Sequence, residues 1–391
     1  MKAEAAEADR RREVREAAQG WWRAGAIDEA ALAAVVSAYP DDRVRLGPAF
    51  RTLAFIFTAL ALNALFFFVV AVFEPGADVA GALSVAFGLL LCVLTDIQIG
   101  RLKRDEGGTE AATALVGLGY MIGGAGLLLS EAGLRGGALF PWLFALATVL
   151  FAAAAQRWGM ALFAGLAGLS LFLFLAQSRG GRLLWIAAAL VMIPLLTRAV
   201  ESPRLPPAHR RSGQALLAVA LVALYAALHL GSWDGGFVEA LGSSGTQRLH
   251  DSPLRPVAIA GTALVPLCAI AFGIRSRRRL FLDLGLALGI ASLVTLRFYV
   301  HVAPLWVVLT LGGAAAIAAA LAARRFLASG PGGERGGFTA EPLFEDLSRQ
   351  GALETVAAVA TAPGARPAAA DDRTLAPGGG RFGGGGASGE Y

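Results

Sequence analysis

Charge is scarce in this chain. Asp, Glu, Lys and Arg make up 16% of its 391 residues, against about 25% in a soluble domain. With 56% apolar residues and a mean hydropathy of +0.60, there is too little charge to cover a water-facing surface of that size. A soluble globular enzyme and a disordered chain are both excluded. Cysteine is almost missing: Cys92 and Cys268 lie in separate apolar blocks, which excludes a disulfide-stapled domain and suits plain core filling. Histidine is equally sparse. His209, His229, His250 and His301 are far apart in sequence, and no HxxxH or HExxH spacing exists to hold a metal. No Walker motif and no dinucleotide fingerprint occurs, so neither a metal nor a cofactor is expected. Lysine is limited to Lys2 and Lys103.

What the chain has instead is long apolar blocks, many near the roughly 20 residues that cross a bilayer as a helix. Such blocks have to be helical, because lipid offers the backbone no hydrogen-bonding partner; an all-β barrel does not fit them. The expected fold is all-α, a polytopic transmembrane bundle of about ten spans. The spans fall at about 50–73, 79–98, 111–130, 138–155, 159–176, 183–200, 215–231, 256–274, 280–298 and 302–323. Three parts follow: a cytoplasmic helical pair over 1–49, a transmembrane domain over 50–325, and a cytoplasmic tail over 326–391. In the first part, Gly25 fits a left-handed helix-ending position and Asp28 fits the N-cap of a second helix, about Glu29 to Tyr39. In the tail, 341–360 reads as a short amphipathic helix, and the Ala-, Pro- and Gly-rich remainder reads as disordered. The beginning lacks a short basic stretch followed by an apolar run, so no cleavable signal peptide is expected.

The net charge of +5 is spread over loops, which argues against a nucleic-acid partner and for a lipid bilayer. With the N-terminus inside, 28 of the 34 basic residues fall in inner segments and 6 in outer loops. Both termini are therefore expected in the cytoplasm of an inner (plasma) membrane. Trp142, Trp158, Trp185, Trp233 and Trp306 fall where aromatic belts sit.

Ionisable and amide groups inside the membrane are the default functional candidates. Asn63 lies mid-helix, where an interhelical hydrogen bond competes with a ligand contact. Asp96 and Asp283 lie at inner ends of their helices, beside Arg101, Arg104 or Arg279. They read either as interface ion pairs or as proton- or substrate-coupling groups. His229 and Arg297 lie near outer ends and are expected to gather with His301 and with Glu131 or Asp234. Gly119-xxx-Gly123 and Gly285-xxx-Gly289 allow close helix packing. Ten spans also divide into five and five, as in inverted-repeat transporters. Yet the prolines Pro194 and Pro266 have no counterparts in the other half, and the loop at 232–255 has no partner of its length.

The unit Trp21-Trp22-x-x-Gly25-x-Ile27-Asp28, followed by Leu32, Val35 and Tyr39 and then a train of apolar helices, resembles bacterial "predicted membrane protein" families of unknown function. The stretch Leu230-Gly231-Ser232-Trp233-Asp234 is similar to one seen in such proteins. The resemblance covers residues 15–325 and implies no activity, so no catalytic or binding residue comes with it. The FGGGGASG ending is similar to Gly-rich tails of bacterial membrane-anchored proteins. These readings lead to a non-enzymatic membrane protein, structural or regulatory, with residues 1–49 docking a cytoplasmic protein. A secondary transporter of a small solute, proton-coupled through Asp96 or Asp283, is the alternative.

Reporter fusions at residues 104, 157, 205 and 277 should read cytoplasmic, and fusions at 76, 134, 180 and 245 external. A periplasmic signal at 205 would mean a miscounted helix among the first six.

Overall fold

A computed structural model of the chain describes residues 3–23, 25–40, 43, 47–103, 107–178, 180–202, 205–234, 238, 241, 255–300, 305–330, 334–335 and 338–339. The tail segment at 341–360 and the residues beyond it lie outside the described residues, as does most of the loop at 232–255.

The chain is built of helices. Two precede the apolar train: α1 (Ala3–Arg23) and α2 (Glu29–Ala38). Gly25, at φ +71°, ends α1, and the amides of Gly25 and Ala26 return to the carbonyls of Trp22 and Trp21 at 2.9 and 2.8 Å. Asp28 caps α2, accepting from the Ala31 amide at 2.8 Å. Then come α3 (Pro48–Phe73), α4 (Ala77–Gly100), α5 (Thr109–Glu131), α6 (Phe140–Trp158), α7 (Ala161–Ala176), α8 (Gly181–Glu201) and α9 (Pro207–Leu228). After a short α10 (Leu230–Asp234) follow α11 (Arg255–Ser276), α12 (Arg279–Val300) and α13 (Leu305–Ala328). Each of the ten apolar blocks falls on a helix. Seven helices, α3, α4, α5, the α6 segment, α8, α9 and α11, are long and apolar enough to cross a membrane among the described residues; α7 is apolar but 16 residues long. The seventh block begins earlier than its hydropathy suggests. Pro207 starts α9 at a position where a missing amide costs nothing, and the turn carrying Arg210 and Arg211 is already helical.

Two units divide the chain, Met1–Val308 and Leu309–Tyr391. In the second, the described part is the rest of α13 and a two-residue antiparallel pairing, Glu334 with Thr339 and Arg335 with Phe338.

Within the first unit, helices pack as consecutive pairs, α4 with α5, α6 with α7, α8 with α9 and α11 with α12, while α3 leans on α5. The hub is α9. Its Ala220, Ala223 and Ala227 meet Phe172 of α7 and Trp185 of α8. Its Leu217, Leu221 and Tyr225 meet Ala269 of α11 and Phe281 and Leu288 of α12. Trp185 is thus a core residue, 4% exposed, and not part of an interfacial belt. The outer surface is apolar: on α3 only Phe66 is buried, while Phe57 and Phe73 are 65% and 73% exposed. A bare apolar face of that extent belongs against lipid.

The tightest contact is between α4 and α5, and it runs along glycines seven residues apart, Gly81 and Gly88 on one helix, Gly117 and Gly124 on the other. A Cβ on Gly88 would stand 2.4 Å from the Gly117 carbonyl oxygen, and one on Gly124 2.6 Å from that of Gly81. Gly119 and Gly123 take no part; a Cβ at either meets nothing within 4 Å. The spacing of four on α5 was the wrong period for this seam. Gly285 and Gly289 do face α11, against Ile270 and Pro266.

Gly88→Ala should therefore push α4 from α5 and cost about 1–3 kcal/mol, the range for overpacking a tight contact. Gly119→Ala should cost nothing and gain up to about 1 kcal/mol from helix propensity. Thermal unfolding of the two variants in detergent distinguishes this seam from the spacing-four one.

Candidate functional site

Polar groups gather at the two ends of the bundle. At the end where α8 begins, α9 stops at Leu228, leaving carbonyls without helical partners. Arg182, at the start of α8 and 7% exposed, donates to the Ala227 carbonyl at 2.8 Å and the Ser232 carbonyl at 3.1 Å. Its guanidinium lies 4.4 Å from the Trp233 ring, and the Trp233 indole donates to the same Ala227 carbonyl at 2.7 Å. A cation at a helix C-terminus complements the partial negative charge there. His229 follows. Its Nδ1 accepts from the Ser232 amide at 3.3 Å, so its Nε2 carries the proton and donates to Thr295 Oγ1 at 2.8 Å. Thr295 in turn donates to the Ala291 carbonyl. The backbone of Arg297 lies in α12, but its side chain and His301 fall outside the described residues. Asn63 is elsewhere, mid-α3: its amide donates to Ala59 O at 2.8 Å and its carbonyl accepts from Tyr120 of α5 at 3.0 Å.

A second relay holds α9, α11 and α12 together. Pro266 has no amide hydrogen, which leaves the Thr262 carbonyl without its helical donor. The Ser292 hydroxyl of α12 lies 2.7 Å from that carbonyl and 2.8 Å from the Leu288 carbonyl of its own helix, and its proton serves Thr262, which has no amide donor; Tyr225 lies 2.9 Å from the same hydroxyl. Because Ser292 has one proton, Tyr225 is the donor in that pair. The Thr262 hydroxyl meanwhile accepts from the Leu230 amide at 2.8 Å. Arg182, Trp233 and Ser292 thus serve backbone carbonyls that a helix end or a proline leaves without a donor, which is a structural role.

The opposite end is different. Here α3, α5, α7 and α9 begin, and their first turns surround a cavity of about 650 Å³. Arg43, Arg51 and Arg211 line it, with Asp9 of α1 and Glu110 of α5. Apolar side chains including Phe55, Ile99 and Leu162 complete the wall. Glu110 is 2% exposed and serves its own loop, accepting from the amides of Gly107 and Gly108 at 2.7 and 3.2 Å. Gly108 has φ +88°, and a Cβ there would stand 2.2 Å from the Arg51 carbonyl oxygen; only glycine lets this loop close on α3. Asp9 is 5% exposed. Its Oδ1 accepts from Arg211 at 2.6 Å, and its buried Oδ2 accepts nothing. Next to it, Glu13 takes two hydrogen bonds from Arg210, both 2.7 Å. These pairs hold α1 against the start of α9.

Asp96 stands beside this cavity. Arg104 lies outside the described residues, and the partner found for Asp96 among the described ones is not its sequence neighbour. Arg157, at the end of α6, grips it through Nε at 3.0 and 3.1 Å and through Nη2, and the Trp158 indole donates to it at 2.8 Å. Sixty residues of chain separate the partners, and only the α4–α6 geometry brings them together. Asp283 is exposed on α12 and makes no ion pair among the described residues; Arg278 instead pairs with Glu201 of α8 and donates to the Thr197 carbonyl at 3.3 Å. The candidates Asn63, Asp96, His229 and Asp283 thus occupy four separate places. Asp9, Arg51 and Arg211, which meet around one cavity, carry no motif that singles them out.

No protein-family model, no curated protein and no solved structure matches the chain. Among the described residues, no three His, Cys, Asp or Glu side chains stand close enough to hold a metal ion.

Ser292→Ala should cost about 1–3 kcal/mol, because it strands the Thr262 carbonyl in a waterless core. In a Pro266→Ala background, where residue 266 regains an amide, most of that cost should vanish. A double-mutant cycle measures the coupling; additive effects would mean that Ser292 acts through packing. Asp96→Asn should cost about 1 kcal/mol or less, as the Arg157 side chain is 61% exposed.

Proposed function

We propose that the chain is a ten-span, non-enzymatic inner-membrane protein with both termini cytoplasmic, and that it is regulatory: α1 is a latch over an inner vestibule. One observation carries this reading. The ion pairs Asp9–Arg211 and Glu13–Arg210 fix the N-terminal helix to the inner end of α9 at 2.6 and 2.7 Å, with Asp9 forming part of the cavity wall. The Glu13–Arg210 pair is open to water and contributes only about 0.2–1 kcal/mol, so the hold on the helix turns on the buried Asp9 carboxylate and its partly exposed partner Arg211.

Orientation supports the same picture. The basic turns with Arg101, Arg157, Arg198 and Arg278 share the end of the bundle to which α1 is attached, so positive-inside bias and the latch point to one side. Partner recognition then belongs to the exposed surface of α1, where Trp21 and Trp22 are 57% and 45% exposed, and a cytoplasmic protein would compete with α9 for the helix. The transporter alternative needs a carboxylate free to exchange protons. Asp96 is engaged by Arg157 and Trp158, which speaks for an interface ion pair.

Replacing Asp9 and Glu13 together by Lys should free α1. In inside-out vesicles, trypsin cleavage at Arg15 and Arg23 should rise at least about fivefold, the population change for losing about 1 kcal/mol, with the later helices still inserted. Unchanged cleavage would refute the latch. A proton flux in proteoliposomes that Asp96→Asn abolishes would put transport first.

A further inference from the structure

We infer that the latch is released by acid: a proton taken up by His209 loosens α1 from α9. The inference rests on the latch reading above and names what regulates it. Three polar atoms near this contact, Asp9 Oδ2, His209 Nδ1 and Arg210 Nε, are closed to solvent and make no hydrogen bond. Of the three side chains, only the imidazole changes charge near neutral pH. His209 stands in the first turn of α9, directly before Arg210 and Arg211, which hold Glu13 and Asp9, and ahead of the apolar block at 215–231. Its ring bonds the Gln156 backbone in the last turn of α6. Because Nδ1 is bare, that bond belongs to Nε2, which carries the proton of the neutral ring and gives it to the Gln156 carbonyl.

A second proton has to sit on Nδ1, which solvent does not reach and where no acceptor is bonded to receive it. It also places a cation at the positive end of the α9 dipole. Two groups favour the charge, the Gln156 carbonyl and the Asp9 carboxylate; burial and the amino group at the start of the chain oppose it, burial most. The neighbouring helices add little. Arg157 of α6 is held by Asp96 and Glu201 of α8 by Arg278, Arg198 of α8 is exposed, and the first turn of α7 carries no charge. On its own helix, Arg210 and Arg211 are engaged with α1. Burial therefore holds the latched imidazole below its ordinary value. Once α1 leaves, the ring opens to water and titrates near its ordinary value of about 6.5. The open state then binds more protons than the latched one. The contribution of the neutral ring to the latch is complete above about pH 7 and is lost as the pH falls below about 6.5.

The test uses the full-length protein in inside-out vesicles and reads trypsin cleavage at Arg15, normalised at each pH to cleavage of a free arginine peptide. Between pH 7.5 and pH 5.5 cleavage should rise several-fold, up to about tenfold, the ratio of charged to neutral imidazole one unit below its ordinary value of about 6.5. His209→Gln keeps a donor for the Gln156 carbonyl and has no charge to gain. Its cleavage should match that of the unmodified protein at pH 7.5 and stay there at pH 5.5. A flat response of the unmodified protein overturns the proposal, as does a rise that survives His209→Gln. Where that variant is already open at pH 7.5, the onset in the unmodified protein decides: a rise beginning between about pH 7 and 6 belongs to the imidazole, and one beginning only below about pH 5 belongs to carboxylates and overturns the proposal. The double variant Asp9→Lys, Glu13→Lys runs alongside at pH 7.5. If it is cleaved faster while acid leaves the unmodified protein unchanged, the latch stands without acid release; if it too is unchanged, the latch fails and this inference with it.

Discussion

A bilayer interior holds no water to solvate a peptide carbonyl, and this constraint governs the molecule. It forces each apolar block into a helix, and it makes every helix irregularity a problem that a neighbouring side chain has to solve. Pro266 and the end of α9 are two such irregularities. Ser292 answers the first and Arg182 with Trp233 the second. Arg182, Trp233 and Ser292 therefore stand where a helix ends or a proline removes an amide. Their arrangement around α9 also explains why this helix is the hub. Its alanine face admits α7 and α8, and its Leu and Tyr face joins the relay to α11 and α12.

The two ends of the bundle use the same residue types differently. Where α9 ends, a buried arginine faces backbone carbonyls and is satisfied by them. At the opposite end arginines face carboxylates contributed by distant parts of the chain, Asp9 from α1 and Asp96 from α4. The first kind of contact fixes a helix end permanently. The second joins separable elements with ion pairs that are partly open to water, and such contacts are weak enough to exchange.

Much of this was legible in the amino-acid sequence because hydropathy and turn chemistry are local signals. The ten apolar blocks each fall on a helix, and Gly25 and Asp28 adopt the geometries that their side chains favour. What was not legible depends on which helices meet. The partner of Asp96 is Arg157, beyond two intervening turns of the bundle, and nothing near Asp96 in the chain indicates it. The glycine seam of α4 and α5 repeats at seven; α5 alone, with five glycines, offers several spacings, and only the opposing Gly81 and Gly88 of α4 select among them. Asp9 sits in a dense charge run that reads as a solvated helix face, yet the fold makes it the most buried acid of α1.

The attachment of α3 has a consequence for how the protein is made. A chain inserted from its N-terminus places α3 in the bilayer before its support exists, because Tyr120, which bonds Asn63, and Phe87, which with Phe66 and Tyr120 forms its aromatic contact, belong to helices synthesised later. Through that interval α3 has to stand alone in lipid. It is equipped for this: it is the most apolar of the seven spanning candidates, and Asn63, its one amide, already gives a hydrogen to the carbonyl of Ala59 one turn back. The same self-sufficiency suits a helix whose one buried side chain is Phe66: the first spanning candidate in the chain meets the rest chiefly through α5.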